Sequence, residues 1–350
     1  MSAPSILVVV VAYQSGDYLQ TCIDALAVQT LPDFTCVIAD NASTDESVGR
    51  LRLPDARFRV EAMGGNLGFA AANNRVALAS SADWIATLNP DAVPQPSWLE
   101  ALIAGASRWS AAASFGSTQL MLETPERLDG VGDVWHAAGA AWRARHGRPA
   151  SLIPPEGETF AACAAAALYR GDAFRAAGGF DESYFCYSED VDLGYRFRLA
   201  GHIAVQIPSA VVMHAGSAIS GRTSDFTIFH GHRNRVWTFL KCTPGPLLPL
   251  LLPYHLAMNA LLLLLLLRVR SPGPLVRAYA AAVRGLPHVL AVRRRVQASR
   301  RTSLRSLIDA MAWSPLSLLR RDVRGGRLPF RKSAIRALEA SLAATPPSDD

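Results

Sequence analysis

The sequence predicts an α/β protein: a mostly parallel central sheet flanked by helices, with a C-terminal helical extension that associates with membranes. Three observations predict it. Ile6-Leu7-Val8-Val9-Val10-Val11 is a continuous, mostly β-branched run that fits a parallel strand buried on both faces. Strand-like and helix-like segments then alternate at short spacing up to residue 106, the rhythm of βαβ units. After residue 244 the character changes to a long apolar stretch and an arginine-rich tail.

The elements follow in order. The first strand is short and no basic segment precedes it, so it reads as a buried strand and not as a secretion signal. A loop at 13–17 leads into helical spacing over 18–28, and 35–39 form a second buried strand ending at Asp40. The run 41–47 is rich in capping residues, which predicts a turn and then a short helix. A third strand is expected near 58–61, a glycine-rich loop at 63–69 and a helix over 70–80. Residues 84–88 are the next strand, ending at Asn89-Pro90-Asp91, and 97–106 return as a helix. Beyond Ser110 the pattern loosens. Residues 123–158 read as loops and short strands over the sheet, and 160–169 as either strand or helix. The acidic run at 188–192 opens an amphipathic helix, with short strands expected at 203–207 and 211–214. In parallel sheets the ligand crevice lies outside the carboxyl ends of the strands, which is where Asp40 and Asp91 fall.

Composition bounds the function. At 350 residues, half of them hydrophobic and 18% charged, the chain can build a substantial core, and wholesale disorder is excluded. The net charge of +6 is uneven. Acidic residues lie mostly before Asp192, and arginines crowd into 268–331. A basic tail beside the apolar stretch 247–267 points to an anionic membrane surface. No aromatic–basic interleaving of the kind that binds single-stranded nucleic acid appears there. That stretch approaches the ~20 apolar residues of a spanning helix. Pro249, Pro253, His255 and Asn259 within it favour a helix lying on the inner leaflet. Five cysteines without paired short spacing argue against a zinc site or a disulfide framework and for a reducing cytosol.

Four short segments carry chemistry. Gly64-Gly65-Asn66-Leu67-Gly68-Phe69 leads into a helix, and its glycines let backbone approach an anionic ligand. It lacks the Gly-Lys-Ser/Thr of a phosphate loop, and a tight surface connection explains it about as well. In Asn89-Pro90-Asp91 a carboxylate at a strand end can hold Mg²⁺ or Mn²⁺, although an ordinary Asn-Pro turn fits the tripeptide alone. In Tyr184-Phe185-Cys186-Tyr187-Ser188-Glu189-Asp190, an aromatic wall precedes a helix whose first turn fixes two carboxylates, with Ser188 as a candidate cap. Acids there also complement the helix dipole, and Asp192 is spaced to pair with Arg196. His214, at a strand end, can offer a neutral imidazole to a metal, though a lone histidine is more often structural.

Their order along the chain is more specific than any one of them. From Val8 to Asn234 the sequence resembles the family 2 glycosyltransferases with the GT-A (Rossmann-like) fold, above all their bacterial rhamnosyltransferase-like branch. The resemblance rests on Val10-Val11-Ala12-Tyr13, Ala39-Asp40-Asn41-Ala42-Ser43-Thr44-Asp45, Gly65-Asn66-Leu67-Gly68-Phe69, Leu88-Asn89-Pro90-Asp91, Ser188-Glu189-Asp190-Val191-Asp192-Leu193, and His214 with His230 and Arg233-Asn234. It implies that Ala12 and Tyr13 line the nucleotide base and that Asp40 accepts from the base imide. Asn41, Gly65, Asn66 and Asn89 would lie along a nucleotide-sugar donor. Asp91 stands where the second acid of the family's Asp-x-Asp motif belongs and would hold Mg²⁺ or Mn²⁺ with His214. Asp190 matches the acid that deprotonates the acceptor hydroxyl, with Glu189 and Arg233 near the acceptor.

The expectation is thus a GT-A catalytic domain over 1–240 and a helical, apolar and basic region over 241–350. The enzyme would be an inverting, metal-dependent transferase at the cytoplasmic face of the bacterial membrane. It would move a hexose, rhamnose first, from a nucleotide-diphosphate sugar to a glycan or polyprenyl-diphosphate-linked acceptor, with no nucleic-acid partner. A sugar nucleotidyltransferase would also use a metal and a parallel sheet, but 13–17 contains no Lys or Arg to cradle a triphosphate. A non-catalytic sugar-binding protein would not need Asp91 and Asp190 together.

Overall fold

The computed structural model describes residues 4–216, 224–269 and 272–320. Ser217, Arg270 and the basic positions after 320 lie outside them. Strands β1 (Ile6–Ala12), β2 (Thr35–Asp40), β3 (Phe58–Ala62) and β4 (Trp84–Leu88) pair in parallel, in the spatial order β4-β1-β2-β3. Helices α1 (Tyr18–Ala27), α2 (Gly68–Ala77) and α3 (Trp98–Arg108) accompany them, α3 following the short strand β5 (Ala92–Pro94). The β-branched run explains the layering. Ile6, Val8 and Val10 pack with α1 and α3, whereas Leu7, Val9 and Val11 pack with α2. A strand with both faces covered has no position for a polar side chain.

The other half of the sheet departs from the expected parallel pattern. β6 (Ala112–Met121), β7 (Leu128–Gly130), the hairpin β8 (Asp133–His136) with β9 (Ala140–Arg143), β10 (Gly157–Thr159), β11 (Ala166–Arg170) and β12 (Ile203–His214) follow. β11 is antiparallel to both β4 and β6, while β12 runs parallel to β6. The ten-stranded sheet is therefore mixed. The two short strands expected at 203–207 and 211–214 are one strand. Its register slips between Ile207 and Val211, around Pro208, which has no N–H for the ladder. The capping-rich run at 41–47 yields no helix. A single turn forms there, Arg50 N–H donating to the Glu46 carbonyl at 2.9 Å, before Pro54 ends the segment.

Helices α4 (Gly171–Ala176) and α5 (Glu189–Ala200) cover the same face as α2. A further layer packs outside α5: α6 (Asp225–Cys242), α7 (Leu248–Val269), α8 (Gly273–Arg284), α9 (Leu286–Ala298), α10 (Leu304–Ala310) and α11 (Pro315–Arg320). One apolar cluster joins Trp135, Phe160 and Tyr195 to Phe239, Leu247, Leu251, Leu307 and Met311. Hydrophobic burial thus continues across residue 240. α7 alone among the described helices is long and apolar enough to cross a membrane. Its mean hydropathy is 1.8 over Leu248–Leu265, and only 17% of that window is buried.

Candidate active site

Asp91 sits in the turn between β4 and β5. β5 pairs antiparallel with the end of β12, setting His214 opposite Ala92 and so beside Asp91. His214 Nε2 lies 3.2 Å from Asp91 Oδ1, and its Nδ1 lies 2.7 Å from Asp129 Oδ2. All three are buried. Burial disfavours charge on Asp129, yet the Arg143 guanidinium beside it, with His146 and His214, holds its carboxyl well below the usual range. An ionised carboxylate only accepts, so His214 Nδ1 is the donor and Nε2 faces Asp91. Burial lowers the His214 pKa, but its hydrogen bonds to Asp129 and Asp91 outweigh that and leave it raised. Nε2 and the Asp91 carboxylate are two electron-rich atoms converging on one point. Something positive belongs between them, either a proton or a cation. A histidine oriented by a carboxylate through its other nitrogen is the arrangement that metal-binding imidazoles require. Asp129 escaped the sequence reading because it lies in the irregular 123–158 stretch with no motif around it.

The acidic helix is held from outside the sheet. Phe185, Tyr187 and Ser188 all have positive φ (65°, 72° and 67°), a conformation that costs non-glycine residues energy and tends to concentrate at functional sites. Asn234 on α6 sustains it. Its side-chain amide donates to the carbonyls of Tyr184, Cys186 and Tyr187 at 3.0, 2.9 and 2.7 Å. Ser188 makes no capping hydrogen bond, and its left-handed backbone is not the extended conformation of a usual N-cap. Gly68 lies against this turn: a Cβ there would stand 2.5 Å from the Phe185 carbonyl oxygen, so only glycine fits. The result is a fixed Asp190 carboxylate. Its Oδ2 accepts from Ala164 N–H at 3.0 Å and its Oδ1 from Val191 N–H at 2.8 Å. Glu189 is buried, and one of its oxygens has no partner. Burial first, then the Asp190 charge, pushes its carboxyl well above the usual range.

Two adjoining cavities connect these poles. One, of about 540 Å³, is lined by Tyr13, Asn41, Asn66, Asn89, Asp91 and His214, among others. The other, of about 690 Å³, is lined by Asp133, Trp142, Glu189, Asp190 and Arg235, among others. Phe69, Asn89, Arg143, Cys186 and Tyr187 belong to both walls. A short path of backbone ties the poles together: Asp190 holds Ala164 N–H, and the next residue, Ala165, accepts from Asn89 N–H at 2.8 Å.

Not every expected residue reaches the cleft. Ala12 is fully buried, and Asp40 turns one oxygen to Ser43 N–H at 2.9 Å. Neither these two nor Gly65 lines either cavity. Asn41 and Asn66 do line it, but they also bridge two loops. Asn41 Oδ1 accepts from Leu67 N–H at 2.8 Å, and its amide donates to Asn66 Oδ1 at 3.0 Å. Arg233, expected near an acceptor, sits behind the aromatic turn and lines neither cavity. It donates to the carbonyls of Ser183 and Tyr184 and stacks 4.4 Å from the Trp237 ring.

Comparison with known proteins identifies the family. The family model described as Glycosyl transferase family 2 matches residues 7–176. An N-acetylglucosaminyl-diphospho-decaprenol L-rhamnosyltransferase of Mycobacterium tuberculosis is 32% identical over 240 residues, covering 61% of this chain and 77% of that protein. The chain belongs to glycosyltransferase family 2. This glycosyltransferase is also 30% identical over 227 residues to the O-antigen biosynthesis protein RfbC of Myxococcus xanthus, of which it covers 18%. Among solved structures, it resembles a mannosyltransferase of Pyrobaculum calidifontis in complex with GDP-Man and Mn²⁺. The TM-score is 0.53 at 16% identity, with 85% of this chain and 86% of that chain covered. GalNAc-T7 with UDP, GalNAc and Mn²⁺ gives a TM-score of 0.54 at 13% identity, over 67% of this chain and 47% of that one. At these identities the likeness is one of fold, and the fold is GT-A.

Proposed function

We propose that this glycosyltransferase moves a hexose, rhamnose in first place, from a nucleotide-diphosphate donor to a sugar on a polyprenyl diphosphate, with inversion. One observation carries the reading. The Asp91–His214 pair and the Asp190 carboxylate stand in adjoining cavities and are tied through Asn89 and Ala164-Ala165. The donor would occupy the cavity of Tyr13, Asn66 and Asp91, and the acceptor the cavity of Glu189 and Asp190. The name of the mycobacterial relative supports rhamnose as the sugar and an N-acetylglucosaminyl diphosphate lipid as the acceptor.

Asp91 and His214, with Asp129 behind, fit a divalent cation such as Mn²⁺ or Mg²⁺, since their facing acceptor atoms need a positive charge between them. Bound there, such an ion supplies charge stabilisation for a departing diphosphate. The protein's own residues do the rest. Asp190 takes the proton of the acceptor hydroxyl. The freed oxygen forms its bond to the anomeric carbon as the bond from that carbon to the diphosphate oxygen breaks, and the electron pair leaves with the nucleoside diphosphate. Phe69 and Tyr187, common to both walls, would hold the two sugars in register and exclude water. The test offers dTDP-rhamnose, UDP-galactose, UDP-glucose and UDP-N-acetylglucosamine with N-acetylglucosaminyl diphosphate on a short polyprenyl chain, with and without EDTA. Acceptor-dependent release of nucleoside diphosphate from one donor, abolished by EDTA and restored by Mn²⁺, is expected. Release of pyrophosphate, or transfer indifferent to EDTA, would refute the reading.

The acceptor reading brings the enzyme to a membrane. α7 presents Leu250 (73% exposed), Leu256, Leu261 and Leu264 to solvent, and Arg284, Arg294 and Arg295 lie exposed on the neighbouring α8 and α9. An apolar face beside arginines suits the anionic inner leaflet. Because each leucine buried is worth roughly 1.5–3 kcal/mol, Leu250, Leu256 and Leu261 changed together to Gln should weaken binding to anionic vesicles at least about tenfold. Co-sedimentation equal to that of the unaltered protein would rule this surface out.

A further inference from the structure

The cavity beside Asp190 has an unbalanced wall. Asp133, Trp142 and Glu189 each carry a buried polar atom with no partner in the protein, namely Asp133 Oδ2, Trp142 Nε1 and Glu189 Oε2. Buried polar groups are normally paired, so three orphans set into one wall are unused hydrogen-bonding capacity just behind the cavity surface. Asp133 stands out. It is 4% exposed, enters from the β8–β9 hairpin, and has a carboxylate oxygen within 4.8 Å of both the Cys163 sulfur and an Asp190 carboxylate oxygen.

A metal ion explains this group poorly. The Arg143 guanidinium acts electrostatically on all three members, and burial pushes the Cys163 thiol up to about 12, away from the thiolate that a metal needs. A neutral, polyhydroxylated ligand fits better. Resting on the reading of Asp190 as the base, we propose that Asp133 selects the acceptor: its carboxyl pairs with the hydroxyl next to the one that Asp190 deprotonates. Burial first, then the Asp190 charge, raises the Asp133 carboxyl well above the usual range, which favours its protonated form, and a protonated carboxyl can both donate and accept. A hydroxyl makes the same two demands. The last torsion of an aspartate is soft, so the orphan oxygen can turn into the cavity at little cost. A site built to pair with a hydroxyl strongly rejects the analogue that lacks it.

The experiment uses the full-length enzyme, N-acetylglucosaminyl diphosphate on a short polyprenyl chain, and the monodeoxy analogues of that acceptor. Asp133→Ala should raise the acceptor KM about tenfold, the equivalent of one lost hydrogen bond, and leave the donor KM unchanged. Asp133→Asn, which keeps the shape and can still donate and accept, should retain most of the acceptor affinity. One monodeoxy analogue should lose as much with the unaltered enzyme and nothing further with Asp133→Ala, because the two partners of one bond cannot be lost twice. An acceptor KM unchanged in Asp133→Ala, or every deoxy analogue losing further with that variant, overturns the assignment. An enzyme that transfers to none of these acceptors overturns the proposed acceptor, and this assignment with it. Asp190→Asn retaining full turnover removes the base reading, whereas the acceptor KM of Asp133→Ala reports on Asp133 alone.

Discussion

Asp190→Asn should slow sugar transfer by about 10²–10⁴-fold while the donor binds as before. The replacement is nearly isosteric, and its amide oxygen can still accept from one of the two backbone donors, Ala164 N–H or Val191 N–H, that now lie 3.0 and 2.8 Å from the carboxylate oxygens. What it cannot do is take a proton from an attacking hydroxyl. The loss should therefore appear in kcat and in kcat/KM for the acceptor, and the donor dissociation constant, read by calorimetry with the nucleotide sugar, should stay near its original value. The size of the effect depends on the scaffold as well as the carboxylate. Three residues with positive φ, Phe185, Tyr187 and Ser188, aim the start of α5 at the cavity, and Asn234 holds them from α6. Turnover at the original rate in Asp190→Asn would move the base elsewhere, and Glu189, the buried neighbour, would be next to test.

The sequence made β1, β2 and β4 legible because these strands are covered on both faces. A strand with no polar position leaves an uninterrupted apolar run, as at 6–11, and 84–88 is broken only by Thr87, whose hydroxyl donates to the Ala164 carbonyl at 2.7 Å. β6 left no such trace. Ser114, Ser117, Thr118 and Gln119 are buried within it, so its composition shows neither the apolar run nor the alternation of a strand. Their polar atoms are partly matched by tertiary partners that no local window contains, such as Trp98 Nε1 donating to Ser117 Oγ at 2.8 Å. The same distinction runs through the site. Asp91, Asp190 and His214 stood out because each occupies the end of a recognisable element. Asp129 and Asp133 come from short strands in an irregular stretch, and their importance arises only from what faces them: His214 in one case, a cavity in the other. Arg233 was adjacent to a motif in sequence, yet its guanidinium points at the back of the aromatic turn. The motif match named the residue and could not say which way it turned.

Lys241→Ala should destabilise the fold by about 3–5 kcal/mol, the cost of removing one partner from a buried ionic network. The Lys241 ammonium is 1% exposed. It pairs with Asp181, lies 2.7 Å from Asp192 Oδ1 and sits 4.5 Å above the centre of the Tyr184 ring. Arg196 reaches Asp192 from the other side at 2.8 Å, and Tyr184 donates its hydroxyl to Asp192 at 3.1 Å. Without the lysine, two carboxylates share one arginine in a dry interior. Burial opposes the Asp181 charge, but Lys241 lowers its pKa to about 2. The stabilisation this brings is full above the ordinary carboxylate value and fades as pH falls toward about 2, so the variant should unfold at a higher pH than the original protein. Lys241→Met with Asp181→Asn should lose less than the sum of the single changes, because the second removes the charge that the first leaves unpaired. Thermal and acid unfolding followed by circular dichroism measure all of this. A Lys241→Ala protein that melts with the original would mean that the network contributes no net stability, and that the acidic turn is held by Asn234 and apolar packing alone.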